Sequence, residues 1–211
     1  MYMLRAIRPG RKGESIKMSG KESKTTKAKI VEAAWKLFYD QGYEETTIED
    51  IIQESCTSRG SFYHYFESKD ALLGSLSFLF DEKYEELHPG LEEVPGGLEK
   101  LLFLNRELFT MIENTIAIEL LARLLSTQLM TRGEKHLLDR SRYYYRMLRA
   151  IFLEGQEKGE FTADLSVNDM VKLYAVAERA LLYDWCICGG EYSLRSYAQT
   201  VMPFFLQKLL A

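Results

Sequence analysis

The sequence predicts an all-α fold: an amino-terminal three-helix domain containing a helix-turn-helix, followed by a larger helical bundle. Three observations lead there. Nearly every segment after residue 24 repeats its apolar residues at helical spacing. No alternating run of about 4 to 8 residues is bounded by turn signals, so strands are not expected. Proline and glycine gather at His88-Pro89-Gly90 and Pro95-Gly96-Gly97, which divide the helical pattern into two blocks.

In chain order, the first helix is expected over 26–41, with Ile30, Ala33, Ala34, Leu37 and Phe38 on one face and Gly42 as its stop. Thr46 or Thr47 can cap a short second helix ending near 54, because Glu49 and Asp50 follow at capping-box spacing. Thr57 or Ser58 starts a third helix that runs to 66, and a longer one is expected over 68–87. Beyond the loop, helices are predicted over 98–112, 115–130, 134–158, 167–187 and 193–210, with Gly159 and the pair Gly189-Gly190 as stops. The domain boundaries expected are 1–22 for a basic arm, 23–68 for the helix-turn-helix domain and 69–211 for the bundle.

Composition narrows the function classes. With 46% hydrophobic and 27% charged residues the chain is globular. Its longest apolar stretch, 116–125, is broken by Glu119 and Arg123, far short of the ~20 residues of a membrane span. The start lacks a secretory apolar core, and three cysteines form no disulfide framework, so a cytoplasmic protein is expected. Charge is uneven: residues 1–30 hold nine Lys/Arg against two acids, whereas 31–70 hold three against nine. Such a cationic arm can track phosphates. Met18-Ser19-Gly20-Lys21 resembles a natural start, which would make 1–17 an upstream extension.

The third helix carries the candidate chemistry. Helical spacing groups Phe62, Tyr65 and Phe66 on a packing face, leaving Arg59, Ser61, Tyr63 and His64 outward. Arg59 can engage guanine O6 and N7 with both guanidinium nitrogens, and Gly60 permits close backbone approach. A short capped helix, a tight turn and a second helix with a polar outer face is the geometry that enters a major groove. Thr46, Thr47, Ser58 and Lys69 sit at helix starts, where phosphates can be held. No nucleophile and base set, phosphate loop or metal cluster is found. Cys186-Ile187-Cys188 lacks partners and reads as buried thiols. The protein is therefore expected not to be an enzyme and to need no cofactor or metal.

Residues 30–38, Gly42-Tyr43, Thr46-Thr47-Ile48, Asp50-Ile51, the run 58–66 and Ser68-Lys69-Asp70-Ala71-Leu72-Leu73 resemble the amino-terminal signature of the tetracycline-repressor (TetR) family. The resemblance implies a homodimeric transcriptional regulator, a repressor that leaves double-stranded operator DNA when a small-molecule effector binds its carboxy-terminal domain. It implies Tyr63 and Lys69 as phosphate ligands, and Arg59, Ser61 and His64 as base readers. Two positions depart from the family pattern: Cys56 stands where the turn usually has glycine, and Ile52 where a small residue is usual.

For the effector, Phe103, Arg106, Phe109, Tyr144, Met147 and Tyr174 offer an apolar and aromatic lining with one cation suited to an anionic ligand. The helix over 68–87 is the expected lever between two recognition-helix spacings. For the dimer, the two carboxy-terminal helices offer one stripe with Leu173, Val176, Ala177, Ala180, Leu181 and Asp184, and another with Tyr197, Val201, Phe204, Phe205 and Leu209. The acidic balance of 31–70 supports a rival reading, a helical protein-interaction module without specific DNA binding.

Overall fold

The computed structural model describes residues 25–130 and 135–211. The basic arm and the proposed upstream extension lie outside the described residues. Among those described there is no strand, only an isolated bridge between Phe161 and Leu210, and no helix is long and apolar enough to cross a membrane. The chain divides into two compact units, Met1–Leu79 and Phe80–Ala211. The amino-terminal unit thus reaches past the boundary expected at 68.

In the first unit, α1 (Thr26–Asp40) is capped by the Thr25 hydroxyl, which accepts the Ala28 N–H. Gly42, at φ +91°, turns the chain away after it. Helix α2 (Ile48–Glu54) and α3 (Arg59–Tyr65) follow, then α4 (Lys69–Leu73). Ile30, Ala34, Trp35, Phe38, Ile51, Phe62, Leu72 and Leu73 are fully or almost fully buried together in this unit. The periodic face predicted for α1 missed Trp35, whose indole N–H donates to Ser75 Oγ at 2.8 Å; Leu37 is only half-buried.

The single helix expected over 68–87 is interrupted. After α4 the chain passes through Gly74-Ser75 before α5 (Leu76–Leu87) begins. Ser75 Oγ donates to the Leu72 carbonyl and Ser77 Oγ to that of Gly74, while the Gly74, Ser75 and Ser77 N–H groups bond three residues back. Hydroxyls competing for backbone carbonyls and i→i−3 bonding tighten the chain out of α geometry.

In the second unit, a 3₁₀ segment His88–Glu93 precedes α6 (Gly97–Thr115) and α7 (Ile118–Met130). The helix expected over 134–158 also breaks. A 3₁₀ turn, His136–Leu138, is separated from α8 (Tyr143–Glu157) because Asp139 Oδ1 accepts the Ser141 N–H and hydroxyl, an Asx turn. Arg142 then forks onto Asp81 with two 3.0 Å bonds. Helix α9 (Val167–Ile187) matches its expected bounds and packs against α7, α8 and α10 (Leu194–Leu206). Phe161 is wedged so tightly that a Cβ on Gly97 or Gly155 would stand 2.5 or 2.4 Å from its ring, so both positions need glycine for space.

The dimer stripes divide on inspection. Ala177, Leu181 and Leu209 are buried within the unit itself, while Leu173, Val176, Ile187, Tyr197, Phe204 and Phe205 remain exposed on α9 and α10.

One backbone position is strained. Cys56 has φ +51°, and it is the single described non-glycine residue in left-handed geometry. For an L-residue with a Cβ that conformation costs roughly 1–2 kcal/mol. Cys56→Gly is expected to stabilise the protein by about 1 kcal/mol despite the greater freedom glycine gains when unfolded. Cys56→Val, β-branched, should destabilise it. Urea unfolding followed by circular dichroism checks both, and equal midpoints for the three proteins would refute the strain.

Candidate nucleic-acid interface

The interface is built from local caps. Thr47 Oγ1 accepts the Asp50 N–H at 3.1 Å while the Asp50 carboxylate accepts the Thr47 N–H at 2.9 Å, a reciprocal box that starts α2. The Thr47 hydroxyl also donates to the Asp50 carboxylate at 2.7 Å, and this bond together with that from the Thr47 backbone holds the Asp50 carboxyl below its usual pKa. Ser58 Oγ accepts the Ser61 N–H at 3.0 Å and starts α3. Phe62 is fully buried and Phe66 nearly so, which fixes the inward face of α3.

Outward stand Arg59, Gly60, Tyr63 and His64, with Ser61 half-buried against the Ser58 hydroxyl. Tyr63 is 45% exposed, so it is not a core tyrosine. Tyr65, expected on the packing face, is instead 41% exposed, its ring edge-on to His64 at 4.7 Å. The helix turns by about 100° per residue. Phe62 and Phe66 already occupy the buried line, and Tyr65 falls to its side.

Among the described residues nothing requires glycine at position 60: a Cβ there would meet only Ser58 Oγ, at 3.8 Å. Glycine inside a helix sacrifices roughly 0.5–1 kcal/mol relative to alanine. Room beside α3 is therefore useful chiefly to something that approaches from outside.

The acidity of this unit is partly absorbed by internal partners. Glu49 pairs with Arg59 at 2.6 Å, Glu54 with Lys36 at 2.5 Å, and Asp70 accepts the Tyr43 hydroxyl. Arg59 also lies over the Tyr63 ring at 5.7 Å. A base-reading Arg59 must exchange Glu49 for its target.

Two expected phosphate ligands are otherwise engaged. Thr46 is 1% exposed and its hydroxyl donates to the Gly42 carbonyl at 2.7 Å, so its side chain serves the turn before α2. Lys69 Nζ donates to the carbonyls of Tyr43 at 2.6 Å and Thr46 at 2.8 Å and lies 4.3 Å from the Tyr43 ring centroid. Its partial burial lowers its pKa. Lys69 thus pins the loop between α1 and α2, and the exposed Thr47, Ser58 and Tyr63 are better placed to meet phosphates.

The expected effector set separates. Phe109, Tyr144, Met147 and Tyr174 are buried, but Phe103 and Arg106 are only half-buried on α6, where Arg106 pairs with Glu107 at 3.0 Å. The inward line of α6 is Leu101, Leu104, Asn105, Leu108, Phe109 and Ile112, and helical spacing leaves Phe103 and Arg106 off it. The interior holds instead a carboxyl that sequence reasoning missed. Glu178 accepts hydrogen bonds from Asn105 Nδ2 at 2.9 Å and from the Tyr144 hydroxyl at 2.6 Å. Burial raises its pKa, against the opposing pull of those bonds. Tyr84 Oη and Asn105 Oδ1 are buried beside this group without a hydrogen-bond partner. The available signal was one acid at a position of α9 flanked by the apolar line Tyr174, Ala177, Leu181.

Elsewhere, Cys56, Cys186 and Cys188 are free thiols, and burial pushes Cys186 up to about 11, which keeps it protonated and unreactive at neutral pH. Among the described residues no cluster of histidine, cysteine and acidic side chains could hold a metal.

Two capped short helices joined by the turn 55–58, with an outward polar face on the second, form a helix-turn-helix. Residues 30–76 match the family described as bacterial regulatory proteins, tetR family. The chain is 42% identical over 59 residues to the uncharacterized HTH-type transcriptional regulator YuxN of Bacillus subtilis, a match covering 28% of this chain and 20% of that relative's length. It is 25% identical to the HTH-type transcriptional repressor KstR2 of Mycobacterium tuberculosis over 85% of this chain and 90% of the relative. The fold is that of Thermus thermophilus FadR in complex with lauroyl-CoA, at TM-score 0.69 and 23% identity, covering 87% of this chain and 94% of that one.

Proposed function

We propose that the protein is a homodimeric, sequence-specific repressor that inserts α3 into the major groove of operator DNA and leaves it when a small molecule binds the second unit. The observation that carries this reading is α3 itself. Its caps and apolar side are satisfied internally, while Arg59, Gly60, Tyr63 and His64 form an exposed outer face with hydrogen-bonding groups and room for close approach. Thr47, Ser58 and Ser61 supply hydroxyls next to it, with Thr46 and Lys69 acting through the loop they hold.

Similarity over most of the length of a named repressor supports repression, and the apolar residues left exposed on α9 and α10 support a dimer through those helices. In a dimer, two recognition helices about 34–36 Å apart would meet successive major grooves. An effector releases DNA only by binding one dimer geometry better than the other. Acyl-CoA esters, of the class bound by the Thermus regulator, are the first compounds to assay.

Selection of bound duplexes from a random pool tests the reading. A palindromic half-site should emerge, its affinity should fall steeply with rising salt through counterion release, and light scattering should give a dimer. Enrichment of no sequence would overturn it in favour of the protein-interaction module.

A further inference from the structure

The second unit carries an open groove of about 280 Å³ between the 138–142 turn, α8 and the first half of α9. Its charge is one-sided. Arg140, Arg149, Lys172 and Arg179 line it, with Tyr145 and Asn168, and among the described residues no carboxylate does. Among the described residues none of the four cations makes an ion pair. Arg149 Nε donates to Asn168 Oδ1 at 3.3 Å and an Arg179 nitrogen to the Tyr145 hydroxyl at 3.4 Å, both neutral partners.

The acids nearest in sequence are turned elsewhere. Asp139 accepts from Ser141, Asp169 from Ser166, and Glu178 from Asn105 and Tyr144. Like charges gathered around one concavity repel, and an anion entering it would meet a net positive field. Guanidinium forks match phosphate oxygens in geometry as well as charge. Val171 and Ala175 add an apolar floor against which a carbon skeleton could lie. The groove shares no residue with the expected effector set, whose one cation, Arg106, is paired with its own acid, Glu107.

We propose that this groove binds a small organic phosphate carrying at least two negative charges. The site goes beyond the DNA reading and needs no DNA to be tested.

Isothermal titration of the full chain with adenosine diphosphate and with pyrophosphate should give saturable binding near one site per chain, and adenosine should give none. Arg149→Gln and Lys172→Gln should each weaken binding at least tenfold, while Lys158→Gln, just past the end of α8 in a surface pair with Glu154, should leave it unchanged. Circular dichroism on each variant establishes that it is folded. Because Arg149 is only half-buried and Lys172 exposed, the substitutions leave the core intact. No saturable binding of either phosphate by the wild type would overturn the proposal. So would equal weakening by Lys158→Gln, which would mean diffuse attraction and no built site.

Discussion

Glu178→Ala is expected to lower the stability of the second unit by about 3 kcal/mol, a fall on the order of 10 °C in its unfolding midpoint. The substitution removes the acceptor for Asn105 Nδ2 and the Tyr144 hydroxyl, leaving both donors buried without partners, and opens a void between α6, α8 and α9. Glu178→Gln separates the group's charge from its hydrogen bonds. An amide can still accept from Asn105 and can donate to the Tyr144 oxygen, yet it has no ionised form to desolvate. For the wild type, burial raises the folded carboxyl above its ordinary value of 4.5. Its contribution is therefore full below that value and is lost as pH rises through the folded pKa. Between pH 5 and 8 the wild type should lose stability from this group, whereas Glu178→Gln should not, and the amide should be the more stable protein at pH 8. Thermal unfolding of the three proteins at both pH values decides it. An alanine variant as stable as wild type, or identical pH slopes for wild type and amide, would show that the buried carboxyl carries neither cost nor bonding.

Why Glu178 was hidden and α3 was legible is a matter of range along the chain. The caps at Thr47 and Ser58 act over three residues, and Gly42 acts on its own backbone, so residue type and spacing suffice to place α1, α2 and α3. Partners of Glu178 lie 34 and 73 residues away, and those of Lys69 lie 23 to 26 away. Their roles depend on how helices meet. Lys69 at a helix start has the attributes of a phosphate ligand, and only the folded loop shows that backbone carbonyls occupy it. The breaks at 74–75 and 139–142 arise from serine hydroxyls and an Asx turn. These side chains are compatible with an exposed helix as well, so an uninterrupted periodic pattern concealed them. Arg106 is a different case, because the apolar line of α6 excludes it by spacing alone. Its chemistry suited a pocket; its angular position did not. The cationic groove draws on residues from 138 to 179, and no short motif could announce it.

Arg59→Ala is expected to weaken binding to a selected operator by roughly 10- to 100-fold and to relax preference at one base pair of each half-site, the loss typical of a bidentate arginine contact. The opposite change comes from its partner. Glu49 holds the guanidinium at 2.6 Å in the DNA-free protein, with both side chains largely exposed, so the pair contributes little to stability. Its effect on recognition is larger, because Arg59 must leave Glu49 to reach a base while the freed carboxylate remains near the phosphates. Glu49→Gln removes both penalties and should tighten binding several-fold with almost no change in unfolding midpoint. Competition binding against a half-site library, at two salt concentrations, distinguishes the two effects. Loss of the ion pair should appear as tighter binding at both salts, and loss of carboxylate repulsion should shrink as salt rises. If Arg59→Ala reduced affinity equally for every sequence, Arg59 would be a phosphate contact, and base reading would pass to Tyr63 and His64 on the same outward face. If Glu49→Gln weakened binding, the pair would be holding Arg59 in its reading position, and the same ion pair would belong to the bound state.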